Sequence, residues 1–260
     1  MFPIQILDCD LNYGASNVGD PYKGCDTASE LLAELENAGI RGGLVRCLYS
    51  DTVGVRYGNA FASRDTAEAN EQGFFTRAVW ALVPPFTGET PLPKDLPQAM
   101  RENNVGAVYL NPDAHRWVPD RLTLDGTLEV LQERRIPVIL SSATGVPMEL
   151  TYRILADFPK LTAIVADKYS WPNARRLYPL AESYENVHLS LSYVMDAGGV
   201  EDMVSRFGAG KVLFGSAFPY RYTGSMMAVI RAAAISDEQR AQIFGGNLER
   251  LIKGANLDAE

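Results

Sequence analysis

Three polar residues follow the first apolar run of the chain in the order Asp8-Cys9-Asp10-Leu11-Asn12. Asp10 and Asn12 are two apart, so on an extended backbone both side chains leave the same face. An aspartate and an asparagine are oxygen ligands of the kind a hard cation accepts. Alternatively, they bond local backbone amides and only shape the turn. A second candidate is His115, in Asn111-Pro112-Asp113-Ala114-His115. Its imidazole would serve as a general acid or base near neutral pH; the alternative is a loop histidine holding Asp113 or a carbonyl. A third is Asp167, which closes the run Ile164-Val165-Ala166. If Asp10 and Asp167 approach one another, repulsion raises one pKa and makes that group a general acid. Arg46, Lys168 and Arg221 are suited to clamp a carboxylate or phosphate. Tyr193 and Tyr220, with Tyr13, Tyr49, Tyr169, Trp171 and Tyr222, could stack on a ring. His188 begins an apolar run, and a structural role is expected for it.

These residues need a frame that gathers them. Short apolar runs alternate with amphipathic segments along the whole chain. Strands are expected at residues 4–8, 43–47, 76–82, 107–110, 138–141, 161–165, 187–191 and from 211 onward. Helices are expected at 28–38, 59–72, 94–103, 124–134, 148–158, 173–182, 200–207 and 225–234, with a terminal helical segment at 237–252. Val212, Leu213 and Phe214 show no polar alternation, as in a strand covered on both faces. Eight strand–helix pairs in strict order predict a (β/α)₈ TIM barrel, one domain over residues 1–260. A doubly wound open sheet is the runner-up, but residues 10–17 lack its glycine-rich phosphate fingerprint. In such a barrel, chemistry sits at the C-terminal strand ends.

The last strand, Leu213-Phe214-Gly215-Ser216-Ala217-Phe218-Pro219, resembles that of the amidohydrolase-related family, in the branch of aminocarboxymuconate-semialdehyde decarboxylase. The resemblance implies a metallo-dependent hydrolase fold and hydrolysis or non-oxidative decarboxylation of a small anionic organic substrate. In the family an aspartate, a metal ligand and proton carrier, stands where this chain has Ala217. The first strand is similar to the family's Asp-x-His-x-His-x-Gly, with Asp8 and Gly14 matching and Asp10 and Asn12 in place of the histidines. Ser141 and Asp167 stand at two further histidine positions. The resemblance therefore implies a divergent member with a degenerate metal site. Catalysis is expected from His115, Asp10 and Asp167, and substrate binding from Asn12, Arg46, Ser141, Lys168, Tyr193, Tyr220 and Arg221. No cofactor is expected. The alternative is Mg²⁺ or Mn²⁺ on Asp10, Asn12 and Asp167; zinc is not expected, because it needs several nitrogen or sulfur donors. A catalytically silent barrel that binds a small molecule or a partner protein is the other functional reading.

The 260 residues are 47% hydrophobic and carry a net charge of −8. Such a charge repels a phosphate backbone, so no nucleic-acid partner is expected. No membrane partner is expected either, because no run of apolar residues is long enough to span a bilayer. The first eight residues lack a signal-peptide pattern, and a cytoplasmic location is expected. Cys9, Cys25 and Cys47 have no ligand-type spacing and are expected to be free thiols. The apolar stretch 80–86 could serve a homo-oligomer.

Overall fold

A computed structural model describes residues 5–15, 25–124, 126–168, 172 and 174–258. Eight parallel strands run β1 (Leu7–Tyr13), β2 (Gly42–Cys47), β3 (Phe75–Leu82), β4 (Val105–Leu110), β5 (Val138–Ser141), β6 (Ala163–Ala166), β7 (Val187–Ser190) and β8 (Val212–Leu213). They pair in sequence order. The ring closes where Cys9 and Asn12 donate backbone hydrogen bonds to the carbonyls of Phe214 and Phe218. This is the TIM barrel that the alternation of elements predicts.

Two apolar layers hold it. Inside the ring, Leu7, Cys9, Leu44, Val79, Ala107, Tyr109, Ile164 and Leu213 belong to one buried cluster. Outside, Leu11, Val45, Trp80, Val108, Leu140 and Val165 pack with helical residues such as Leu35, Leu131 and Leu155 in a larger one. Stretches such as Val79–Leu82 and Ala107–Leu110 alternate between the two, as a period of two demands. The Ala28–Ala38 helix shows how local sequence sets a boundary. Thr27 and Glu30 form a capping box at its start, and Gly39 ends it in the left-handed conformation, as such signals direct. Gly43 is required by a close approach: a Cβ there would lie 1.8 Å from the Asp8 carbonyl oxygen.

Several boundaries differ from expectation. The first strand runs through Tyr13 rather than ending at Asp8, so Asp10 and Asn12 lie within β1. The register against β2 shifts between Asp8 and Leu11. Leu7 and Cys9 face the interior before the shift, while Leu11 and Tyr13 face the outer layer after it. The helix expected at 59–72 begins earlier, as Val55–Glu71, and the one at 94–103 shortens to Leu96–Glu102 behind two prolines. The stretch 80–86 does not offer an apolar face. Trp80, Leu82 and Val83 are buried, and Phe86 is its exposed large side chain. The indole of Trp80 donates to Ser63 Oγ at 2.8 Å. Cys9, Cys25 and Cys47 are free and buried. No helix among the described residues is long and apolar enough to cross a membrane.

Candidate active site

The C-terminal ends of the strands surround a cavity of about 150 Å³. Leu44, Val79, Ile139 and Ile164 form its apolar floor. Asp10, Asn12, Arg46, Ser141, Lys168, Ser190, Tyr193 and Tyr220 line its polar wall. The shift within β1 brings Asp10 and Asn12 to this wall beside Cys9, so the strand contributes consecutive residues to it.

A continuous polar network crosses from β1 to β2 and β4. Asn12 Nδ2 donates to Asp10 Oδ1 at 3.3 Å and to the Phe218 carbonyl at 2.9 Å. Arg46 Nε donates to Asn12 Oδ1 at 2.8 Å. Behind Arg46 lies Asp51, 3.3 Å from its Nη1. Tyr109 donates its hydroxyl to Asp51 Oδ1 at 2.7 Å, and its ring lies 4.8 Å beneath the guanidinium carbon. Asn12 thus separates the acid Asp10 from the cation Arg46 while bonding both.

Burial by itself would lower the Arg46 pKa; the charges and hydroxyls around it, Asp51 first, outweigh that and raise it, so the side chain stays cationic. Burial would raise the Asp51 carboxyl, but hydrogen bonds from His115 and Tyr109 and the charge of Arg46 prevail and hold it below the usual carboxylate range. Asp8, directly below this wall, is fully buried, and burial pushes its carboxyl up to about 7. Its Oδ1 accepts from the backbone N–H groups of Asp10 and Ser216. Asp51 and Tyr109 were missed by sequence reasoning. Tyr109 hides in the apolar run Val105–Leu110, and Asp51 sits in a short helix, Tyr49–Thr52, that periodicity does not reveal. The usable signal was that Asp51 falls five residues after Arg46, just past the end of β2.

The opposite wall differs. Ser141 lines the cavity, and its Oγ accepts from Ala143 N at 3.1 Å. Asp167 does not line it. Its carboxylate accepts from Ser142 Oγ at 2.8 Å and pairs with Arg176 Nε at 3.2 Å, with the side chain fully buried. Ala217 is fully buried in a small cluster with Ala166 and Tyr193. Tyr193, whose hydroxyl burial and then Asp10 push up, carries the Arg221 guanidinium over its ring at 5.2 Å. Arg221 itself stands outside the cavity lining. Tyr169 and Trp171 lie outside the described residues.

His115 also stands apart. It follows β4 as expected, but its Nε2 lies 3.1 Å from Asp51 Oδ1 and 3.2 Å from the Ser50 carbonyl oxygen. With Asp51 and Glu89 it lines a separate cleft. Asp10, His115 and Asp167, expected as one catalytic group, are therefore not gathered about one cavity. Asp51 draws His115 behind Tyr109, and Arg176 and Ser142 draw Asp167 outward. Among the described residues no three of His, Cys, Asp and Glu form a group that could hold a metal ion.

The fold is a TIM barrel with a cavity at the C-terminal ends of its strands. The amidohydrolase family model matches residues 18–253, and the chain belongs to that family. The match begins after β1, so Asp10 and Asn12 precede it. Solved structures agree in fold. An uncharacterised TIM-barrel protein, Bb4693 from Bordetella bronchiseptica, is 20% identical, with a TM-score of 0.68 over 96% of this chain and 99% of that one. The 5-carboxyvanillate decarboxylase LigW from Sphingomonas paucimobilis is 12% identical, with a TM-score of 0.67 over 96% and 99%. A dihydroxybenzoic acid decarboxylase from Polaromonas sp. JS666, solved with manganese and 2-nitroresorcinol, is 14% identical, with a TM-score of 0.67 over 96% and 97%. No curated protein matches the sequence.

Proposed function

We propose that this protein is an amidohydrolase-fold enzyme acting on a small organic carboxylate, by hydrolysis or non-oxidative decarboxylation, with a degenerate metal site. The observation that carries this reading is the half-buried Arg46 guanidinium, held charged and separated from Asp10 by Asn12 on the wall of one cavity. Arg46, with Lys168 on the wall, holds the substrate carboxylate. Asn12 and Ser141 orient it, and Tyr193 and Tyr220 face its body. Arg221 fixes the Tyr193 ring from outside. Asp10 moves the proton. In a hydrolysis it takes one from water and returns it to the leaving group. In a decarboxylation it delivers one to the carbon whose bond to CO₂ breaks.

The donors available speak against a resident divalent ion of the kind bound in the Polaromonas decarboxylase. Asp10 is the sole carboxylate among the described lining residues, and two cations share the wall with it. The Asn12 amide oxygen, a potential ligand, already accepts from Arg46. Asp167 is committed to Arg176 and Ser142. Mg²⁺ or Mn²⁺ on Asp10, Asn12 and Asp167 would require Asp167 to turn inward. A zinc site would require several nitrogen or sulfur donors, and Cys9, whose thiol donates to Ser190 Oγ at 3.3 Å, is the one histidine or cysteine among the described lining residues.

A thermal-shift screen of aromatic and aliphatic carboxylic acids, followed by assays for released CO₂ and for hydrolysis products, tests the proposal. A bound substrate raises the melting temperature because it stabilises only the native state. Asp10→Asn is expected to keep binding and lose about 10²-fold or more in kcat. Turnover undiminished in Asp10→Asn would overturn the assignment. Binding of a carboxylate without turnover in the wild-type protein would instead favour a silent barrel, a reading supported by the separation of Asp10, His115 and Asp167.

A further inference from the structure

The opposite end of the barrel holds a cation whose surroundings resemble a ligand site. Arg77 lies near the start of β3, between Phe75 and Val79 on the interior face. Its stem crosses Gly106 of β4 so closely that a Cβ there would lie 2.6 Å from Arg77 Cβ and 3.0 Å from its Cγ. Glycine at 106 therefore makes the room in which the side chain is seated. The guanidinium carbon lies 5.0 Å from the centre of the Phe75 ring. Nη1 donates to the Thr76 carbonyl at 3.0 Å. Among the described residues that is its one acceptor, for a group with five N–H donors.

The guanidinium opens on a cleft of about 260 Å³ between β3, the Leu96–Glu102 helix and the Asn247–Gly254 helix. Arg101, Asn104, Ile252 and Lys253 also line it, and no aspartate or glutamate does among the described residues. Arg101 pairs with Asp258 at 3.3 Å and Lys253 with Glu249 at 2.6 Å, all four well exposed or half-exposed. Such rim pairs contribute little and exchange readily with solvent. Arg77, by contrast, forms no ion pair among the described residues. Burial lowers its pKa with no neighbouring charge to oppose the shift. In a chain with a net charge of −8, Arg77 is the cation on this lining that no described carboxylate offsets.

We propose that this cleft at the N-terminal end of the barrel is a second ligand site, for a small phosphate-bearing anion, with Arg77 as its anchor. The planar fork of the guanidinium matches two phosphate oxygens, and the rim cations Arg101 and Lys253 meet the remaining charge. A single carboxylate would use only part of this set. The site stands on its own geometry and is independent of the reaction at the mouth.

Isothermal titration of the full chain with inorganic pyrophosphate, at fixed ionic strength set by chloride, tests it. The expected result is saturable binding of one pyrophosphate per chain, with a matching rise in melting temperature. Arg77→Gln is expected to weaken it by about tenfold or more, since a charged bidentate partner is lost. Lys168→Gln, at the other end of the barrel, is expected to leave it unchanged. If Arg77→Gln does not fold, Lys253→Gln at the exposed rim decides, with an expected loss of a few-fold. The proposal is overturned if chloride alone gives the same thermal shift, if Lys168→Gln abolishes binding, or if neither Arg77→Gln nor Lys253→Gln weakens it.

Discussion

The two walls of the mouth are built on different principles. On the side of β1, β2 and β4, Asp10, Asn12, Arg46, Asp51 and Tyr109 form one unbroken chain of hydrogen bonds and ion pairs. On the side of β5, β6 and β8, Ser141 caps its own turn, Asp167 bonds outward and Ala217 packs against Tyr193 and Ala166. Charge is thus concentrated on one wall, while the other is polar only through hydroxyls and Lys168. Under the proposed reading, a site with ligands from both walls would need Asp167 to move. A site that holds an anion against one wall and moves a proton beside it would not.

Breaking the charged wall should have the largest effect. Arg46→Met leaves Asp51 without its guanidinium and removes the proposed carboxylate clamp. Arg46 and Asp51 are half-buried and Asp51 keeps His115 and Tyr109 as partners, so the loss is set at the low end for breaking an enclosed pair, about 3 kcal/mol. Chemical denaturation should show that loss, and carboxylate binding should disappear with it. If Arg46→Met were as stable as the wild type, the network would be incidental.

Placing a carboxylate at 217, where the resemblance implies one in the family, is the next largest change. Ala217 has φ +57°, a left-handed conformation that aspartate tolerates better than most residues. Its methyl is fully buried, however, so Ala217→Asp places a charge against Tyr193 without a partner, at a cost of about 2 kcal/mol. The melting temperature should fall, and added zinc should not restore it. Recovery of stability by zinc would mean that the wall needs only this one group to become a metal site.

The smallest effect is a matter of pH. The folded Asp51 titrates below its ordinary value of 3.8. Its contribution to stability is therefore complete above that pH and is lost as pH falls through the lower folded value. Asp51→Asn should remove this acid-side loss. Asp8 runs the other way. With its folded pKa raised to about 7, its contribution is complete below 3.8 and is lost as pH rises through 7. Asp8→Asn should flatten the stability curve between those limits and leave the acid side alone. Stability profiles over pH separate the two.

This contrast between walls explains what could be read in the sequence. Eight apolar runs divided by amphipathic segments are enough for a barrel, because period and length alone decide strand and helix. That Asp10 and Asn12 share one face follows from their spacing of two. The shift between Asp8 and Leu11 that brings Cys9 and Asp10 to the same cavity does not, since a bulge leaves no mark in hydrophobic periodicity. Nor does spacing say which way a side chain turns once it leaves a strand end. Asp167 is turned by Arg176, nine residues on, and His115 by Asp51, which lies 64 residues earlier in the chain. Those partners are set by tertiary packing.

The most direct test of the account is metal analysis of the protein purified without chelator, with melting temperatures measured before and after exposure to EDTA. The account predicts zinc, manganese and magnesium well below stoichiometric levels and a melting temperature that EDTA does not change. One equivalent of any of these ions, with a melting temperature that falls on its removal and recovers on its return, would contradict it.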